Sequence, residues 1–122
     1  MKIDYSLECL AEDQPVRGNA SCSDDPLLDR ELEDQILNRL DRGDQWAWCC
    51  VQVIATLRDD QGHQLMVGSD SLGACSYDND QDFVKNSGYY EDMKKQAYDD
   101  LIKGCYDLLK KAQMIKKFLE EN

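Results

Sequence analysis

The run from Trp46 to Leu57 constrains the fold more than any other segment of the chain. It is rich in aromatic and β-branched residues, and its side chains separate with a period of two. Ala47, Cys49, Val51, Val53, Ala55 and Leu57 make one face, apolar throughout, while Trp46, Trp48, Cys50, Gln52, Ile54 and Thr56 make a mixed one. A strand of this kind belongs in the middle of a sheet, with a neighbour on each edge and a cover over its apolar face. Arg58 to His63 supplies a plausible hairpin connection, and Gln64 to Cys75 can return antiparallel. Gly68 and Gly73 in that return strand suggest a bulge or a close backbone approach. Ile3, Tyr5, Leu7 and Cys9 alternate with polar residues; Ile3, Leu7 and Leu10 also fit a helix face, and strand is chosen.

The cover comes from two helical patterns. Asp24 or Asp25 as cap, Pro26 in the first helical position and Gly43 as terminator bound the first. Leu28, Leu32, Ile36 and Leu40 recur every four residues and predict its core-facing stripe, with Asp29, Arg30, Glu33, Asp34 and Asp41 opposite. The last pattern runs from Tyr90 through Met93, Ala97, Leu101, Cys105, Leu108, Ala112 and Ile115 to Leu119, interrupted at Gly104, which can bend it. The expected fold is α+β, in the order β-α-β-β-α: a three-stranded antiparallel sheet with two packed helices, the last one long. Residues 1–122 read as one domain, with 11–25 a polar loop, Asp78 to Asp82 an acidic loop and 105–122 a possible helical extension.

Charge bears on what such a domain can bind. The net charge of −11 disfavours direct attraction to nucleic acid or to an anionic membrane and favours a basic partner. Residues 1 to 44 hold 12 acids against 5 bases and residues 78 to 100 hold 7 against 3, so the acid lies in two blocks. No apolar run approaches the ~18 residues of a membrane span, and the first residues lack the apolar stretch of a secretory signal, so a cytoplasmic setting is expected. Six scattered cysteines then read as reduced thiols, most of them small core residues.

Chemistry-bearing constellations are sparse. His63, the only histidine, falls in the predicted hairpin turn, and no Cys-x-x-Cys pair accompanies it, so no catalytic residue, metal ligand or cofactor site is assigned. Asp78-Asn79-Asp80-Gln81-Asp82 opens like a calcium loop, but Phe83 stands where the turn glycine belongs and Tyr89 where the bidentate glutamate belongs. The candidate partner-binding residues are Asp29, Glu33 and Asp34 on the first helix, Asp78, Asp80 and Asp82 in the acidic loop, and Trp46 and Trp48. The tryptophans read either as hot-spot anchors or as core beneath a helix. Neutralising the six acids is expected to slow association and leave stability nearly unchanged.

Pro15-Val16-Arg17-Gly18-Asn19-Ala20, Leu40-Asp41-Arg42-Gly43-Asp44, Trp46-Ala47-Trp48-Cys49, Gly68 to Tyr77 and Gly88-Tyr89-Tyr90-Glu91-Asp92-Met93 together resemble a family of small acidic bacteriophage and prophage proteins of unassigned function. The resemblance spans about residues 3 to 104. It implies a phage protein acting in the host cytoplasm. The leading expectation is a non-enzymatic inhibitor or adaptor that docks on a basic surface of a host protein complex, for example an anti-CRISPR or anti-restriction factor that mimics nucleic acid. A phage structural or replication accessory protein and a small hydrolase are the alternatives.

Overall fold

The computed structural model describes residues 1–21 and 23–122. Cys22, read as one of the reduced thiols, lies outside the described residues. Strand β1 (Lys2–Ala11) is followed by helix α1 (Pro26–Asp41), β2 (Cys49–Arg58), β3 (Gln64–Cys75), a short helix α2 (Asp80–Asn86) and the long α3 (Tyr90–Glu121). The three strands form one antiparallel sheet in the order β1-β2-β3, so β2 is central as its two-faced pattern requires. On its apolar face Cys49, Val51, Val53 and Ala55 are wholly buried, while Gln52 and Ile54 on the other are half-covered.

Within the span read as one domain, packing distinguishes two compact units. The first comprises Met1–Ser6, Val53–Asp70 and Asp92–Asn122; the second comprises Leu7–Gln52 and Ser71–Glu91.

In the first unit, α3 lies backbone-to-backbone on β3. A Cβ on Gly68 would stand 2.2 Å from the Leu101 nitrogen and 2.4 Å from the Ala97 carbonyl oxygen, so only glycine permits this approach. The expected close approach is therefore at Gly68. Met93, Ala97 and Leu101 are buried along the same helix stripe. Asp100 accepts the Ser69 N–H (2.9 Å), and the Lys94 ammonium stands 5.0 Å from the centre of the Tyr5 ring. α3 runs unbroken through Gly104, where a Cβ would meet the Met66 methyl at 2.9 Å. In the β2–β3 turn, Asp59 accepts the N–H groups of Gln61 and His63, each at 2.9 Å, and His63 Nδ1 lies 3.3 Å from the same carboxylate.

In the second unit the structure corrects three expectations. The segment read as an acidic loop is the start of α2: Asn79 caps it by accepting the Asp82 N–H (2.9 Å), and Phe83 is fully buried. Among the described residues there are therefore three α-helices where two were expected, with Gly88 (φ +77°) separating α2 from α3. The strand expected from Trp46 begins at Cys49. Ala47 and Trp48 donate their N–H groups to Asp44 (3.2 Å) and Gln45 (3.3 Å), which winds Gln45–Ala47 into a 3-10 turn and removes both tryptophans from the strand face assigned to them.

The third correction is the inward stripe of α1. Leu28 and Leu32 are exposed, whereas Glu33 is buried and Asp29, Ile36, Leu37 and Leu40 are half-buried. Positions 29, 33, 36 and 40 satisfy helical periodicity as well as 28, 32, 36 and 40 do, so the helix turns two carboxylates inward at its N-terminal half. Its N-cap is Asp25, which accepts the Leu27 N–H at 3.0 Å.

Candidate functional site

The Pro15–Ala20 stretch is fixed by its own hydrogen bonds. Asn19 and Ala20 donate to the Val16 carbonyl (both 3.1 Å), the Asn19 side chain donates to Pro15 (2.8 Å), and Gly18 takes φ +82°, a left-handed conformation that costs a side-chain-bearing residue about 1 kcal/mol or more. Val16 is buried beneath this turn. Trp48 Nε1–H donates to the Gln14 carbonyl (2.7 Å), pinning the preceding residues. The Pro15–Ala20 motif is thus a fixed turn.

Glu33 closes that turn. One carboxylate oxygen accepts the Gly18 N–H (2.8 Å) and the other the Arg17 guanidinium (3.1 Å), which also pairs with Asp34. The Gly18 amide first, and Arg17 second, hold the Glu33 carboxyl below the ordinary carboxylate range. Asp29 does the same for the next stretch, accepting the Ser21 hydroxyl (2.7 Å) and the Ser23 hydroxyl (2.6 Å) and N–H (3.1 Å), so its pKa is also lowered. Both carboxylates stay ionised by replacing the water they lose with fixed donors.

At the other end of α1, Arg39 donates to Asp44 (2.8 Å) and to the Tyr77 carbonyl (2.6 Å), and Tyr77 N–H donates to the Trp46 carbonyl (2.9 Å). Phe83 packs here, 5.0 Å from Tyr77 edge-on and 6.2 Å from Trp46. These contacts bring the C-terminal end of α1 beside the 78–82 segment. Asp82 accepts the Asp78 N–H (2.9 Å) and the Asn86 amide (2.8 Å), which lower its pKa, with a smaller contribution from the charge on Arg39. The Asp80 carboxylate accepts the Gln81 N–H (2.8 Å). These donors engage the Asp80 and Asp82 carboxylates of the calcium-like run, and no group of three or more metal-ligating side chains stands together among the described residues.

The eight candidate residues therefore divide. Asp29, Glu33 and Asp82 are tied to backbone or hydroxyl donors, and Trp48 is buried with its indole N–H committed to Gln14. Trp46 is half-buried against Phe83. Asp34, Asp78 and Asp80 remain exposed, and Glu31 and Asp41, which the sequence reading did not nominate, join them.

Charge divides by unit more sharply than by segment. The second unit holds 15 acids and 5 bases, a net −10, and the first holds 10 and 9, a net −1; together they give the chain's −11. Two of the second unit's five bases, Arg17 and Arg39, are consumed by internal ion pairs. Nearly the whole net negative charge therefore belongs to one compact unit.

No protein-family model, no curated protein and no solved structure matches the chain. No helix among the described residues is long and apolar enough to cross a membrane.

Proposed function

We propose that the second unit is an acidic docking module that binds a basic surface on another protein, and that the chain acts as a non-enzymatic phage-encoded inhibitor of a host complex that handles nucleic acid. The concentration of ten of the eleven net negative charges in one unit carries this reading. The exposed carboxylates Glu31, Asp34, Asp41, Asp78 and Asp80 stand in for phosphates, and the hydrogen-bonded turn at 15–20 and the caps of α1 and α2 order the frame that holds them against their mutual repulsion. Charge held on an ordered frame steers a cationic partner with less ordering cost than a flexible acidic tail would incur.

Affinity capture from a bacterial host lysate tests the reading. The wild-type chain should retain a basic nucleic-acid-handling complex at low salt and release it at high salt. A variant with Glu31→Gln, Asp41→Asn, Asp78→Asn and Asp80→Asn should retain little of it. Equal retention by both chains would refute the proposal.

A further inference from the structure

The apolar stripe of α3 outruns the sheet that covers it. Met93, Ala97 and Leu101 are buried and Cys105 is half-buried, but the same stripe continues through Leu108, Ala112, Ile115 and Leu119 with every residue exposed. Leu108, Ile115 and Leu119, with Leu109 and Phe118 at the margins, are 52 to 65% exposed. From Cys105 to Glu121 this is 17 residues of helix, about 25 Å long. Helical stability in proteins comes mostly from packing an apolar face, and here the apolar residues keep the helical period toward a surface that this copy of the chain does not supply.

We propose that the surface is a second copy of the chain, and that two protomers pair antiparallel through residues 105–121 of α3 about a twofold axis at Ala112. Area permits it. Five side chains exposing on the order of 100 Å² each give roughly 500 Å² per copy and about 1,000 Å² in all, which reaches the lower bound for a specific interface. Ala112, central and small, lets the helices approach closely.

Charge sets the direction. In parallel register Lys111 and Lys116, which flank the stripe on its two sides, would bring like charges together across the seam. It would also bring together the parts of the two first units that pack on the N-terminal half of α3, where Met1–Ser6, Val53–Asp70 and residues 92–100 carry 7 acids against 4 bases. Antiparallel pairing separates those parts. It sets Lys116 level with Leu108, across whose side chain its aliphatic stem can lie, Glu120 and Glu121 level with Lys103 and Gly104, and Cys105 level with Leu119. The chain's overall acidity disfavours an anionic membrane as the occupant.

Sedimentation equilibrium of the full chain should give twice the chain mass. Leu108→Glu combined with Ile115→Glu should reduce it to a single chain, while Lys110→Glu, on the opposite side of the helix, should leave it doubled. Because the double variant could also fray the helix, Leu119→Cys provides a second measurement: oxidation with copper–phenanthroline should yield a covalent dimer in which peptide mapping joins Cys105 to position 119 of the other copy. A single-chain mass for the wild type, a doubled mass for the double variant, or crosslinks joining position 119 to itself would overturn the proposal. So would a single-chain mass accompanied by binding to phosphatidylcholine–phosphatidylglycerol vesicles.

Discussion

Glu33 accepts the Gly18 N–H at 2.8 Å and thereby fastens the 15–20 turn to the first helix from a position buried in the second unit. An acid that looks on a helical wheel like solvated surface is a structural latch. Its lowered pKa fixes the sign of the pH dependence: the stabilisation is present above the unfolded carboxyl pKa and is lost as pH falls through the lower folded value. Glu33→Gln should lower the midpoint of thermal unfolding at pH 7 and flatten its decline between about pH 5 and pH 2. Differential scanning calorimetry across that range reads both effects. Neutralising Asp29 or Asp82, which are likewise hydrogen-bonded to fixed donors, should also lower stability, whereas neutralising the exposed Asp78 or Asp80 should leave it nearly unchanged.

Three glycines should respond to alanine in graded fashion. Gly68→Ala places a Cβ against the backbone of Leu101 and should prevent α3 from seating, with loss of cooperative unfolding in urea. Gly62→Ala has open space but φ +86°, and should cost about 1 kcal/mol. Gly104→Ala meets only the flexible end of Met66, so the gain of about 1 kcal/mol in helix propensity offsets the displacement and the net change should be small.

Burial pushes the Cys49 thiol up strongly, with its hydrogen-bonded neighbour Cys9 adding to the shift, and pushes Cys75 up to about 11. Both should resist iodoacetamide at pH 8 in the native protein and react on unfolding, as peptide mapping would show. Because folded-state values lie above the unfolded thiol value of 9.0, the stability they contribute is intact below about pH 9 and lost as pH rises through the folded values. Urea midpoints should therefore fall between about pH 9 and pH 11, and Cys75→Ala should reduce that fall.

Trp48→Phe removes the donor to Gln14 while keeping an aromatic ring in the core. It should cost about 1 kcal/mol in urea unfolding and leave partner association unchanged, which separates a packing role from the anchor role that its residue type suggested.

Most of the fold was legible because single periodicities dominate it. The two faces of Cys49–Arg58, the return strand with its Gly68 and the Asp25-Pro26 helix start each follow from local pattern. What escaped depends on tertiary context. Leu28 and Asp29 begin stripes of equal period, and only the Arg17 and Gly18 turn decides that the carboxylate side faces in. Asp78 to Asp82 reads as loop because seven helical residues present a single fully buried apolar side chain, Phe83, and its partners Trp46 and Tyr77 are distant in sequence. The candidate site was legible in composition but not residue by residue: acidity was plain, whereas which acids are already spoken for required the hydrogen bonds.

On the proposed reading, exposed acids on an ordered unit steer a cationic partner. Association rates with the captured complex, taken at about 50 and about 300 mM salt, test it most directly, since that change more than halves the screening length. Wild type should associate at least about ten-fold faster at the lower salt, and the variant neutralised at Glu31, Asp41, Asp78 and Asp80 should be slower there and nearly indifferent to salt, with unfolding midpoints close to wild type. Equal rates for the two chains at both salts would contradict the account and leave those acids as solubilising surface.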